Sequence, residues 1–260
     1  MNKLYIIKIG GNIIDDENKL SSFLDKFAQI EGAKILVHGG GKLATKVAEA
    51  MGVPQQMMDG RRITDAETLK IVTMVYAGAI NKNIVASLQS KNVNALGLSG
   101  ADANVILAHK RVHPTIDYGF AGDIDKVNSS FIDLLLNQGI SLVFAPITFD
   151  GKQTLLNTNA DTVAQELAKA MSSHYHVSLI YCFEKNGVLL DATDDDSVIN
   201  HVDEAAFAEM KEKGAVSAGM IPKLQNAFAA LDAGVQSVVI GHADNLPQLV
   251  NQQGGTFIKK

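Results

Sequence analysis

Short runs of consecutive apolar residues alternate along this chain with longer stretches whose apolar positions recur every three to four residues. Leu4–Ile9, rich in β-branched residues and ended by Gly10-Gly11, predicts a buried strand. Leu20, Phe23, Leu24 and Phe27 then fall at helical spacing. Lys34–Val37 predicts the next strand, closed by His38-Gly39-Gly40-Gly41, and Leu43–Met51 a helix. Thr64-Asp65-Ala66-Glu67 has the spacing of a capping box and opens a long helix reaching about Ser90, after which Asn94–Leu98 reads as a strand.

The middle of the chain breaks this rhythm. Val105–Val112 and Phe120–Val127, with Pro114 and Gly119 between them, predict a hairpin inserted between α/β units. The alternation then resumes. Helical patterns at Ser129–Asn137, Asp161–Met171, Glu204–Lys213 and Pro222–Ala233 are interleaved with strands at Leu142–Ala145, His176–Tyr181, Ser237–Ile240 and Thr256–Lys259. Repeated β-α-β order predicts an α/β fold with an open, mainly parallel central sheet and helices on both faces. Two lobes are expected, residues 1–172 and 173–260. Composition does not shift there, so the boundary rests on where ligands would sit: two glycine-rich segments precede it and a lysine-bearing segment follows.

Charge narrows the partners. The net charge of -5 and the lack of any Lys/Arg cluster argue against nucleic acid, so an anionic substrate must be held by a few placed cations or by backbone amides. Cys182, the single cysteine, excludes an internal disulfide and suits a reducing, cytoplasmic setting. No secretory signal pattern opens the sequence and no apolar run approaches membrane-spanning length, so no membrane association is expected.

Five segments carry candidate chemistry. Lys8-Ile9-Gly10-Gly11-Asn12 lies at the carboxyl end of the first strand, where open α/β sheets bind ligands. A glycine pair lets the backbone approach an anion, although a tight turn beside a snorkelling lysine would look the same. His38-Gly39-Gly40-Gly41-Lys42 repeats the arrangement after the second strand and suits anion binding at a helix N-terminus. It is not a P-loop, because Leu36 and Leu43 stand where glycine and Ser/Thr belong. Gly39-x-Gly41-x-x-Ala44 matches a dinucleotide fingerprint but follows the wrong strand, and its acidic partner, Asp59, lies in a stretch that does not read as a strand. Gly60-Arg61-Arg62-Ile63-Thr64 places two guanidiniums before a helix, suited to a bidentate grip on a carboxylate or simply to solvent. In Asn157-Thr158-Asn159-Ala160-Asp161, Asp161 can be a helix cap or an acceptor that orients lysines. Gly219-Met220-Ile221-Pro222-Lys223 puts a lysine in a first helical turn, unfavourable unless an anion binds nearby. The seven histidines lack ligand spacing, and Cys182 reads as buried rather than reactive.

In their order and spacing these segments, with Leu98-Ser99-Gly100-Ala101-Asp102 and Gly119-Phe120-Ala121-Gly122-Asp123 between them, resemble the amino-acid kinase superfamily over nearly the whole chain. Within it they are similar to the branch acting on N-acylated glutamate. The resemblance implies ATP-dependent phosphorylation of the side-chain carboxylate of N-acetyl-L-glutamate to N-acetylglutamyl 5-phosphate in arginine biosynthesis, with N-succinyl-L-glutamate as the alternative substrate. It implies Lys8 and Lys223 at the transition state and Asp161 organising both. Gly40, Gly41, Arg62 and Asn157 would hold the acylated amino acid, with Gln55–Asp59 and His113–Phe120 lining the acyl pocket. Gly10, Gly11, Glu184, Gly187, Ser217 and Gly219 would hold phosphates and nucleotide, with Mg²⁺ carried mainly by ATP. Phe183-Glu184-Lys185-Asn186-Gly187 departs from the Ser/Thr-Asp pair usual at that strand end. A homodimer without arginine feedback is expected. A non-catalytic amino-acid or nucleotide sensor of the same fold is the competing class, although a pure binder needs neither Lys8 nor Lys223.

Overall fold

In the computed structural model the described residues are 1–58, 60–191, 193–212 and 220–260. A central eight-stranded sheet runs in the order His201–Val202, Thr256–Ile258, Ser237–His242, His176–Phe183, Lys3–Ile9, Ala33–His38, Ser141–Phe144, Ala95–Leu98. Every neighbouring pair is parallel except Thr256–Ile258 against Ser237–His242. The predicted α/β architecture is therefore the observed one, and its first strand pairs on both sides, with His176–Phe183 and with Ala33–His38.

Side chains alternate across each strand, so the sheet divides the core in two. Leu4 and Ile6 pack with Ile35 and Val37 under the helices Ala160–Met171 and Ile221–Asp232. Ile7 and Ile9 pack with Leu36 on the opposite face, under Glu17–Ala28 and the helix beginning at Ala66. Parity alone then assigns Lys8 to the first face and His38 to the second. That assignment separates the roles of the two glycine loops.

Three local expectations are corrected. Asp65, not Thr64, caps the long helix: its carboxylate accepts from Thr68 N at 2.7 Å, while the Thr64 hydroxyl donates to the Arg62 carbonyl. The helix is also not uniform, because Met74–Ile80 is π-helical. Although no strictly apolar run reaches 18 residues, Ala66–Ser90 is long and apolar enough, by length and composition, to cross a bilayer. Its Ile71, Val72, Val75, Ile80, Ile84 and Leu88 are core residues here, which gives that hydropathy a use inside the domain.

Two hairpins were not legible. Gln56–Met58 pairs antiparallel with Arg61–Ile63, a short ribbon whose first strand is fully exposed and so lacks alternation. Ile147–Phe149 pairs with Leu155–Asn157, and these join the predicted hairpin, Ile106–Lys110 and Gly122–Val127, in a four-stranded sheet. An isolated hairpin is marginal in water, so recruitment of two more strands supplies the stability the sequence pattern left unexplained.

Candidate functional site

Lys8 leaves the first strand on the face covered by Ala160–Met171 and meets the first turn of that helix. Its Nζ lies 2.7 Å from Asp161 Oδ1, and Nζ of Lys223, from the first turn of Ile221–Asp232, lies 2.5 Å from Asp161 Oδ2. Two lysines 215 positions apart thus share one carboxylate. Asp161 is not the helix cap, since Asn159 accepts from the backbone N–H groups of Asp161 and Thr162. Burial alone would raise the Asp161 pKa, but the two ammonium charges and their hydrogen bonds hold it well below the usual carboxylate range. Neither cation is where a helix macrodipole favours it. Both sit at helix N-termini, where an incoming polyanion would be stabilised.

The glycine loops lie beside this group. The Gly10 N–H donates to the Cys182 carbonyl, and Gly11 begins the short helix Gly11–Ile14. Gly40 caps Gly41–Ala50 with φ +143°, and a Cβ there would collide with Ile80 Cδ1, so this position requires glycine on both counts. Gly40 and Gly41 line a cavity of about 170 Å³ with Arg62, Tyr76, Asn157 and Ala160. That volume is below the roughly 300–1,000 Å³ of drug-sized pockets and suits a small amino-acid derivative.

Arg62 is buried, not a solvated surface arginine. Its Nη2 donates to the Gly41 carbonyl and the Thr45 hydroxyl, each at 2.9 Å, and its Nη1 donates to Gln55 Oε1. All three acceptors are neutral, so the positive charge has no anionic partner among these contacts. Asn157 Nδ2 donates to the Thr64 hydroxyl at 3.0 Å, which fixes the amide at the cavity wall. Tyr76 and Thr45 escaped the sequence reading, whereas Gln55, expected only at the acyl pocket, is also an acceptor for Arg62. Tyr76 lies within the π-helical stretch, whose extra residue per turn redirects side chains without leaving a periodic mark.

On the other side of the glycine loops, Lys42 Nζ donates to Asn12 Oδ1, and Asn12 Nδ2 donates to Glu184 Oε2 at 2.5 Å. These residues, with Gly10, Gly11 and Phe183, line a second cavity of about 300 Å³. Glu184 is therefore beside the Gly10-Gly11 loop. Gly187 has a packing role: it is buried, and a Cβ would press on Thr256 and Val198. Asp59, Ser217 and Gly219 lie outside the described residues. Cys182 is buried, and that burial pushes its thiol up to about 12, so it is inert as expected.

Comparison with known proteins agrees with this geometry. The model of the amino acid kinase family matches residues 3–242. The chain is 55% identical over 258 residues to acetylglutamate kinase of Phocaeicola vulgatus, covering 99% of each chain. It is 57% identical over 253 residues to acetylglutamate kinase of Cytophaga hutchinsonii, covering 97% of this chain and 96% of that one. Among solved structures it resembles N-acetylglutamate synthase from Neisseria gonorrhoeae at a TM-score of 0.84 and 20% identity. That likeness takes in 99% of this chain, which spans only 59% of the synthase chain. Carbamate kinase from Giardia lamblia matches at a TM-score of 0.69 and 14% identity, covering 100% of this chain and 99% of the other. These two structural likenesses concern the fold.

Proposed function

This chain belongs to the amino acid kinase family, and from that premise we propose that it transfers the γ-phosphoryl group of ATP to the side-chain carboxylate of N-acetyl-L-glutamate, the acyl-phosphate-forming step of arginine biosynthesis. The observation that carries the reading is the convergence of Lys8 and Lys223 on Asp161, next to two glycine loops. An acceptor carboxylate is already ionised at neutral pH, so no general base is needed. One carboxylate oxygen forms a bond to the γ-phosphorus as the bond to the β–γ bridging oxygen breaks, and that electron pair leaves with ADP. Catalysis then consists of alignment and of neutralising charge on the phosphoryl oxygens, the work of the two ammonium groups and the glycine amides.

Arg62 takes the α-carboxylate of the amino acid in this reading, and Asn157 its acyl-amino portion. Gly11 faces the nucleotide phosphates, Gly10 beside it leaves room for them while its own N–H is held by the Cys182 carbonyl, and Glu184 lies on the nucleotide's adenine and ribose side. Residues 1–172 hold the acylated amino acid and 173–260 the nucleotide, on one continuous sheet. Mg²⁺ fits as a companion of ATP, bound mainly by phosphate oxygens and water, because the Asp161 carboxylate is already engaged by two lysines. The bound ion would neutralise phosphate charge. ADP release measured side by side with N-acetylglutamate, N-succinylglutamate and glutamate tests the assignment. Fastest turnover with the acetyl compound is expected; preference for the succinyl compound would change the acyl group, and silence with all three would end the kinase reading.

Arg62→Lys is expected to raise KM for the acylated amino acid about 10- to 100-fold with kcat nearly unchanged, the equivalent of about 1.5–3 kcal/mol for a hydrogen bond to a charged group. An unchanged KM would remove Arg62 from the carboxylate. A homodimer is supported by the free edge of Ala95–Leu98 and by the exposed apolar side chains of Leu96 and Met74. Light scattering should give the mass of two chains, and Leu96→Lys should shift it towards one; a wild-type monomer would contradict this.

A further inference from the structure

His38 and Asn81 are buried beneath the Gly39-Gly40-Gly41 loop, on the sheet face opposite Lys8, and the mechanism above makes no use of them. Their hydrogen bonds form one chain whose polarity is forced at each link. Lys82 Nζ donates to the Gly97 carbonyl at 2.9 Å and to Asn81 Oδ1 at 3.2 Å. Asn81 Nδ2 must donate to the Val143 carbonyl at 3.0 Å, because a carbonyl only accepts, and this settles which end of the amide faces His38. Asn81 Nδ2 also lies 3.2 Å from His38 Nε2, which therefore accepts. The ring proton is left on Nδ1, 2.8 Å from the Gly39 carbonyl, to which it donates. Gly97 belongs to the same arrangement: a Cβ there would collide with Asn81 Oδ1.

The last link bears on the site. A trans peptide is planar, with its C=O and the following N–H pointing in opposite directions. Drawing the Gly39 carbonyl onto His38 turns the Gly40 N–H away from that face. Among the described residues no acceptor takes the Gly40 N–H, although Gly40 lines the 170 Å³ cavity. Ile80 and Tyr76 of the π-helical stretch lie so near Gly40 that an added Cβ would meet both, and the residue after that stretch is Asn81.

We propose that His38 and Asn81 are positioning residues, which lock the Gly39–Gly40 peptide so that the Gly40 amide is aimed at the transferring phosphoryl group. The inference rests on the kinase reading and adds a second layer to it. In the enzyme as it stands, ¹⁵N NMR of the histidine rings should show His38 as the neutral Nδ1–H tautomer, and an Nε2–H ring would overturn the proposal. Two substitutions separate the links of the chain. In His38→Asn the side-chain amide replaces Nδ1 and keeps a donor for Gly39, whereas in His38→Gln it replaces Nε2 and keeps only the Asn81 contact. His38→Gln should lose about 10- to 100-fold in kcat, less than the loss of a direct oxyanion donor, while His38→Asn stays within about threefold of wild type. KM for ATP and for the acylated amino acid should move little in either. Equal kcat in the two variants at matching thermal midpoints would show that the ring is only structural; if either variant fails to fold, the tautomer decides. Absence of turnover in the wild-type enzyme would sink the functional reading instead, which keeps the two failures apart.

Discussion

Alanine at Lys8 or at Lys223 is expected to lower kcat by about 10²–10³ with KM for the acylated amino acid nearly unchanged, the pattern for loss of a contact made in the transition state. Each ammonium is held by the same carboxylate, at 2.7 and 2.5 Å, so neither needs to search for its position when charge develops on the phosphoryl oxygens. The double substitution should cost less than the product of the single losses, because residues that act as one unit are not additive. Asp161→Asn should also slow turnover: the lysines would lose their common anchor and repel each other. Circular dichroism of the variants should stay near wild type, while thermal midpoints should fall, most in Asp161→Asn, because the buried Asp161 carboxylate paired with both lysines also stabilises the fold. A Lys8→Ala or Lys223→Ala enzyme with wild-type kcat would remove that lysine from the chemistry.

Acid is expected to unfold the protein in two stages with different causes. The His38 pKa is pushed down to about 4 by burial, against its bond to the Gly39 carbonyl, which raises it, and with help from the Lys82 charge. The unfolded chain takes up this proton near pH 6.5, so stability is complete above that pH and falls as pH drops towards 4. The loss reaches about 3 kcal/mol by pH 4, at 1.36 kcal/mol per pH unit between the two values. This is a large share of the roughly 5–15 kcal/mol available to a folded domain. Asp161 acts lower. Its depressed pKa contributes stability that is present above the ordinary carboxylate range and disappears as pH falls through the folded value. Urea unfolding at pH 7.5 and 4.5 should differ by about 2–3 kcal/mol in the wild type and by clearly less in His38→Asn, which has no imidazole to protonate. The same difference in both proteins would mean that His38 is not the group responsible.

The strand and helix order was legible because each element carries its own periodic record. Apolar runs at Leu4–Ile9 and His176–Tyr181 belong to strands buried on both faces, and the helix-spaced residues of Asp161–Met171 cover one of those faces. The missed elements lack such a record. Gln56–Met58 is too short and exposed to alternate, and the π-helical stretch Met74–Ile80 looks like ordinary helix in sequence. At the site, single residues were legible with their alternatives still open. Arg62 could have been a solvated surface charge and Asp161 a helix cap; burial settled the first and Asn159 the second.

By itself, the order of residues determined the α/β class, the glycine loops at strand ends, and the alternation that sets Lys8 apart from Ile7 and Ile9, because side-chain parity along a strand is a local property. Only the tertiary structure decided that Lys223 meets Lys8 across a gap of 215 residues, that Asn81 reaches His38, and that Tyr76 and Ile80 close on Gly40. Those contacts depend on strand order, helix docking and one π-helical stretch, and packing between segments distant in the chain leaves no periodic trace in either of them.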